Sequence, residues 1–211
     1  GCSVHVASLE RPSHGNVGEL DGVTVHWLSN PSRRQGSDRQ KLGYLKTVSQ
    51  ARRLIDNLNP DIVHAHYASS YGTICSLSCK RPYYLSVWGS DVYDFPKKSL
   101  VHRLVFKHAL NCCTWLMSTS EAMAKETRKY TDKAISITPF GVDMNLFNPD
   151  KASGHSGFVV GTVKGLEQKY GIETLLRSCK MVHDARPDLN LRVRIAGTGT
   201  LEQHFHALSY E

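Results

Sequence analysis

The stretch from Asn59 to Asp91 limits most sharply what this chain can become. Pro60 cannot continue a helix, so it ends whatever precedes it. Ile62 and Val63 then open a short β-branched run that finishes His64-Ala65-His66, the kind of run a parallel sheet buries. Ala68-Ser69-Ser70-Tyr71-Gly72 reads as a polar loop, an apolar helix follows to Cys79, and a second strand from Tyr83 to Trp88 ends at Gly89-Ser90-Asp91. Strand, loop, helix, strand and loop within about 30 residues is the size of a βαβ unit. In open α/β sheets, ligands bind beyond the carboxyl ends of the strands. His66, Ser69, Ser70, Ser90 and Asp91 are expected at that edge, and His64 is read as pointing to the opposite face, into the packing.

The rest of the chain repeats the theme. Strands are expected over Ser3 to Leu9, Gly22 to Leu28, Trp115 to Ser118, Ala134 to Thr138, Phe158 to Val163 and Leu191 to Ala196. Helical spacing appears from Lys41 to Leu58, from Leu100 to Leu110 behind an N-cap at Ser99, and from Ser120 to about Tyr130. Two more helices are expected from Gly171 to His183 and from Leu201 to Tyr210. Arg11 to Gly18 and Pro31 to Gln40 read as loops. Between Asn145 and Gly157 the composition shifts to Asn, Pro, Asp, Lys, Ser and Gly, which predicts a domain boundary, with residues 1–150 on one side and 151–211 on the other. The fold class expected is α/β, with two Rossmann-like units.

Charge and cysteines narrow the function classes. The net charge of +7 is scattered, with no block of like charges and no interleaved aromatics, so a nucleic-acid partner is not expected. A solvated basic surface, or attraction to anionic substrates or lipid head groups, accounts for it. Six cysteines occur, but no Cys-x-x-Cys pair. A metal is therefore not expected, and buried reduced thiols in a cytoplasmic protein are.

Five segments together resemble the family 4 (group 1) retaining glycosyltransferases of the GT-B fold: Pro60 to His66, Val87 to Asp91, Ser118 to Met123, Pro139 to Asp143 and Val160 to Gly171. Each is weak alone, and their order and spacing carry the resemblance. It implies an N-terminal acceptor-side domain and a C-terminal domain for a nucleotide-diphosphate sugar, transfer with retention, and no metal or separate cofactor. The donor implied is a UDP- or GDP-sugar, and the acceptor a saccharide or glycolipid. A cytoplasmic location is expected, with peripheral contact at the inner membrane surface. Lys169 matches the family's diphosphate-binding Lys. The family's Arg falls where this chain has Thr162, and Lys164 is the substitute, a point charge in place of a bidentate fork. Gly197 and Gly199 form the turn expected near the nucleotide, although a plain tight turn would look the same.

The departure from the family is Trp88, where a His that contacts the transferred sugar is usual. An indole cannot exchange protons, so Asp91 and His66 become the catalytic candidates. Trp88, Gly89, Ser90, Ser120 and Gly141 are the further substrate-binding candidates, Gly141 by allowing close backbone approach. Structural roles compete at several of these positions: a turn-capping Asp91, an N-cap at Ser120, a turn fixed by Asp143.

Two expectations concern the ends. Ser3 to Leu9 resembles the second strand of a Rossmann unit, which predicts roughly 20 to 40 preceding residues and no pairing with Ile62 to His66. The family's paired donor-site glutamates would lie beyond Glu211, so the second domain is expected to be incomplete and the chain alone inactive. A nucleotide-sugar epimerase of the same fold, or a basic domain that binds without chemistry, are the alternatives.

Overall fold

The computed structural model describes residues 1–9, 22–29, 37–148 and 157–210. The loop expected at Arg11 to Gly18, the first part of the loop from Pro31, and the centre of the boundary segment lie outside the described residues. The chain is α/β and divides into two compact units, Gly1–Gly141 and Val142–Glu211.

In the first unit, β1 (Val4–Ser8) pairs in parallel with β2 (Val23–Trp27) as a two-stranded sheet. Among the described residues β1 makes no ladder with the central strands. The helix α1 (Ser37–Leu58) starts earlier than its apolar spacing indicates, so Ser37 to Gln40 belong to it and not to a loop. A four-stranded parallel sheet follows, in the order β3 (His64–His66), β4 (Tyr84–Val87), β5 (Trp115–Ser118), β6 (Ile135–Ile137). The connections are helical: a π-helical turn, Tyr67–Gly72, running into α2 (Thr73–Ser78); α3 (Ser90–Tyr93) and α4 (Leu100–Cys112); and α5 (Glu121–Thr127).

Alternation along the strands builds the core. Ala65, Leu85, Val87 and Leu116 are buried with Val92, Phe106 and Leu110. Each large side chain so buried contributes about 1.5–3 kcal/mol. The next residue along points the other way, and there Tyr84 stacks on Trp115 at 4.5 Å between ring centroids. Ile62, read as the start of β3, lies outside it and is exposed, because the ladder with β4 runs only over His64 to His66. Ser99 and Ser120 cap α4 and α5, their hydroxyl oxygens accepting from the His102 and Met123 amides.

The cysteines are all free thiols, but the expectation that they are buried holds for only some. Cys75, Cys113 and Cys179 are buried, whereas Cys2 and Cys112 are exposed. Burial pushes the Cys113 thiol up to about 11 and the Cys75 thiol upward as well, so both stay protonated at neutral pH.

The second unit holds β7 (Val159–Val163) and β8 (Arg192–Ala196), parallel, with α6 (Ile172–Ala185) and α7 (Glu202–Leu208). Leu166, Ile172 and Phe205 form its core, with Leu176, Ile195 and Leu201 against them.

Candidate functional site

The carboxyl ends of β3 and β4 meet through one side chain. Asp91 is fully buried at 0% exposure. Its Oδ2 accepts the Ala68 amide at 2.8 Å, from the turn after β3. Its Oδ1 accepts the Trp88 amide at 3.1 Å and the Gly89 amide at 2.8 Å, from the turn after β4. Both oxygens are thus engaged by backbone, and the carboxylate does not face solvent. The tie sets local conformation on both sides. Gly89 takes φ +150°, which side-chain-bearing residues rarely adopt. Tyr67 takes φ +79°, uncommon for a bulky residue, and its hydroxyl hydrogen-bonds the Ser90 hydroxyl. So the sequence candidates Ser90 and Asp91 are brought to the β3 loop, with Tyr67 joining them. Tyr67 gave no signal in the sequence beyond being the first residue after the strand.

His66 and Trp88 stand at the same edge. Their rings meet edge-on at 5.2 Å, and Trp88, 43% exposed, meets Phe140 edge-on at 5.2 Å. The expectation that His64 faces away from His66 is wrong. Strand residues two apart share a face, and the two rings lie 3.9 Å apart. His64 Nε2 also hydrogen-bonds the Ser86 hydroxyl at 2.8 Å. Burial, then the charge of neighbouring His66, brings the His64 pKa down to about 4, and burial lowers that of His66. Both imidazoles are therefore neutral at pH 7, able to donate at one nitrogen and accept at the other.

Two further candidates take structural positions. The Ser120 hydroxyl oxygen accepts the Met123 amide at 3.2 Å as the cap of α5. A Cβ on Gly141 would meet no protein atom within 4 Å, so no packing against the chain itself requires glycine there. Asp143 Oδ1 accepts the Asn145 amide at 2.8 Å and so fixes its turn.

In the second unit the loops leaving β7 and β8 are knitted together. The Lys164 amide donates to the Ala196 carbonyl at 2.9 Å, and the Leu166 amide to the Thr198 carbonyl at 2.9 Å. The approach is close enough to demand glycine: a Cβ on Gly197 would sit 1.9 Å from the Lys164 carbonyl oxygen, and one on Gly199 2.4 Å from that of Leu166. Glu167 adds a clamp, accepting from the Thr200 amide at 3.0 Å and the Thr200 hydroxyl at 2.7 Å. Those two bonds hold its carboxyl below the usual range. Lys164 and Lys169 each place Nζ 5.0 Å from the centre of the Tyr170 ring. Both sequence candidates thus share one aromatic neighbour, a cation–π arrangement. Tyr170 and Glu167 were not singled out from sequence. An aromatic directly beside Lys169 was the available signal for the first. Among the described residues no group of three or more His, Cys, Asp or Glu side chains is placed to hold a metal ion.

Residues 1–120 match the model of a family described as Glycosyl transferase 4-like. Over 106 residues the chain is 31% identical to TuaC of Bacillus subtilis (strain 168), a protein named for glycosyl transfer in teichuronic acid biosynthesis. That match covers 49% of this chain and 26% of the relative, so the chain corresponds to about a quarter of the relative's length.

Proposed function

The chain belongs to the Glycosyl transferase 4-like family, and from that premise we propose that the protein transfers a sugar from a UDP- or GDP-sugar to a saccharide or lipid-linked acceptor, with retention, in a GT-B arrangement. The observation that carries the donor half of this proposal is the pair of lysines beside Tyr170, next to a turn whose close approach demands glycine. A departing nucleoside diphosphate gains negative charge, and cations at the carboxyl end of a strand stabilise it. Lys164 and Lys169 would hold the diphosphate, and the backbone of Gly197 to Gly199 would lie against the nucleotide. The relative's name, with its polysaccharide, supports a saccharide acceptor.

On the acceptor side, Trp88, 43% exposed, offers aromatic surface to a sugar, with Ser90 two residues on. His66, neutral and packed against Trp88, offers a hydrogen bond to a substrate hydroxyl. Asp91 is reassigned: its oxygens are taken by three amides, so it positions the Trp88–Ser90 turn and does not itself touch substrate.

The test is release of nucleoside diphosphate by the full-length protein from UDP- and GDP-sugars, supplied with a pooled extract of lipid-linked saccharides. Acceptor-dependent release of UDP or GDP is expected, with the anomeric configuration of the donor kept in the product. No release from any nucleotide sugar, with or without extract, would favour a domain that binds without chemistry.

A further inference from the structure

The surface of α4 carries a feature the transfer reaction does not use. From Phe95 to Ser120 the chain contains no carboxylate, while Lys97, Lys98, Arg103 and Lys107 fall within it. In the same stretch Leu100, Val101 and Leu104 are 76%, 67% and 66% exposed. Positions 100, 104 and 107 share one helical face, so two exposed leucines continue directly into a lysine. The opposite face of the helix is spent on the core, where Phe106, Ala109 and Leu110 are buried. Large apolar side chains left in water beside cations, with no neighbouring acid on the helix, are matched by one kind of surface: apolar at depth and negative at its rim.

We propose that the first half of α4 docks on an anionic lipid bilayer, with Leu100, Val101 and Leu104 entering the interface and Lys98, Arg103 and Lys107 facing the head groups. An interfacial helix of this kind sinks its apolar face only to the boundary of the acyl region and need not span anything. Among the described residues, no helix is long and apolar enough to cross a membrane. Lys97 is the weakest contributor, since Glu126 pairs with it at 3.8 Å. Placement favours the idea as well. Six residues, including a single 3-10 turn at Phe95–Lys97, separate α4 from α3, whose first residue, Ser90, lies at the carboxyl edge of β4. A bilayer under the start of α4 would lie at the edge where the Trp88 turn is held. The docking itself does not depend on the proposed transfer activity.

The experiment is co-sedimentation of the full-length protein with vesicles of phosphatidylcholine alone, or of phosphatidylcholine and phosphatidylglycerol in equal parts. Binding to the mixed vesicles is expected, falling at high salt and far weaker on phosphatidylcholine alone. The triple variant Leu100→Gln, Val101→Gln, Leu104→Gln is expected to lose at least about tenfold in binding. Lys98→Gln with Lys107→Gln should lose about fivefold for each charge removed. All these positions are at the surface, so circular dichroism of both variants should match the parent. Equal binding to both vesicle types, or a triple variant that binds as the parent does, overturns the proposal. So does a parent that ignores vesicles but forms a dimer which the triple variant abolishes, since the face would then join two copies of the chain.

Discussion

The Asp91 carboxylate reaches the Ala68 amide at 2.8 Å and so fastens two loops that lie 23 residues apart in the chain. Two more amides, of Trp88 and Gly89, converge on its other oxygen. Removing the carboxylate leaves three backbone N–H groups without their acceptor at a buried position. Asp91→Ala should therefore cost about 3 kcal/mol of stability, and Asp91→Asn about 1–2 kcal/mol. Urea unfolding checks this. A stability unchanged in both variants would return Asp91 to the role of a substrate contact.

The glycine turn in the second unit makes a sharper demand. Gly197→Ala would place a methyl group 1.9 Å from the backbone carbonyl oxygen of Lys164, a residue whose own amide is fastened to the Ala196 carbonyl at 2.9 Å. We expect a loss of roughly 3 kcal/mol and release of the Lys164 loop, read as faster amide hydrogen exchange from Lys164 to Leu166. Gly141→Ala, with nothing within 4 Å, should change stability by no more than about 0.5 kcal/mol.

Acid should destabilise the first unit through its paired imidazoles. His64 binds a proton near pH 4 when folded and near the ordinary value of 6.5 when unfolded. Below pH 6.5 the unfolded chain therefore holds more protons, and stability falls as pH drops from 6.5 towards 4, then levels off. His66 acts in the same direction. Both rings are partly open to water, which limits the size of the effect. Thermal melts between pH 7 and 5 should show the slope, and His64→Gln should flatten it. A melting temperature that rises on acidification would contradict the assigned environment.

The thiols divide by access. Cys2 and Cys112 should be alkylated rapidly in the native protein, whereas Cys75 and Cys113 should react only on unfolding, since burial both covers them and keeps them protonated. Peptide mass mapping after brief alkylation distinguishes the two sets.

These expectations show which parts of the structure the sequence carried. β5 lies where its alternation put it, at Trp115–Ser118, because its register is fixed by side chains that face the core from one parity. The Ser99 and Ser120 caps were equally legible, since a cap depends on residues three positions apart. The π-helical turn at Tyr67–Gly72 was not. Its geometry is set by Asp91 drawing in the Ala68 amide and by Ser90 meeting the Tyr67 hydroxyl, contacts between distant residues that no local pattern encodes. Asp91 was visible as a polar residue at a strand end, but whether it would face substrate or backbone depended on its burial. The closeness of His64 and His66 on one face was legible and was misread, because strand periodicity alone places them together. In the second unit, the lysines were visible by position, while their shared neighbour Tyr170 emerged only from the fold of the loop.

The most direct test is calorimetric titration of the full-length protein with UDP and GDP, repeated with Lys169→Ala and with Lys180→Ala. Lys180 serves as the control, paired with Asp184 at 2.8 Å on α6. We expect one of the two nucleotides to bind, Lys169→Ala to weaken it about tenfold or more, the loss of about 1.4 kcal/mol that one charge-assisted contact supplies, and Lys180→Ala to leave it unchanged. Equal affinity in the parent and Lys169→Ala, or no binding of either nucleotide, would contradict a diphosphate site on this loop.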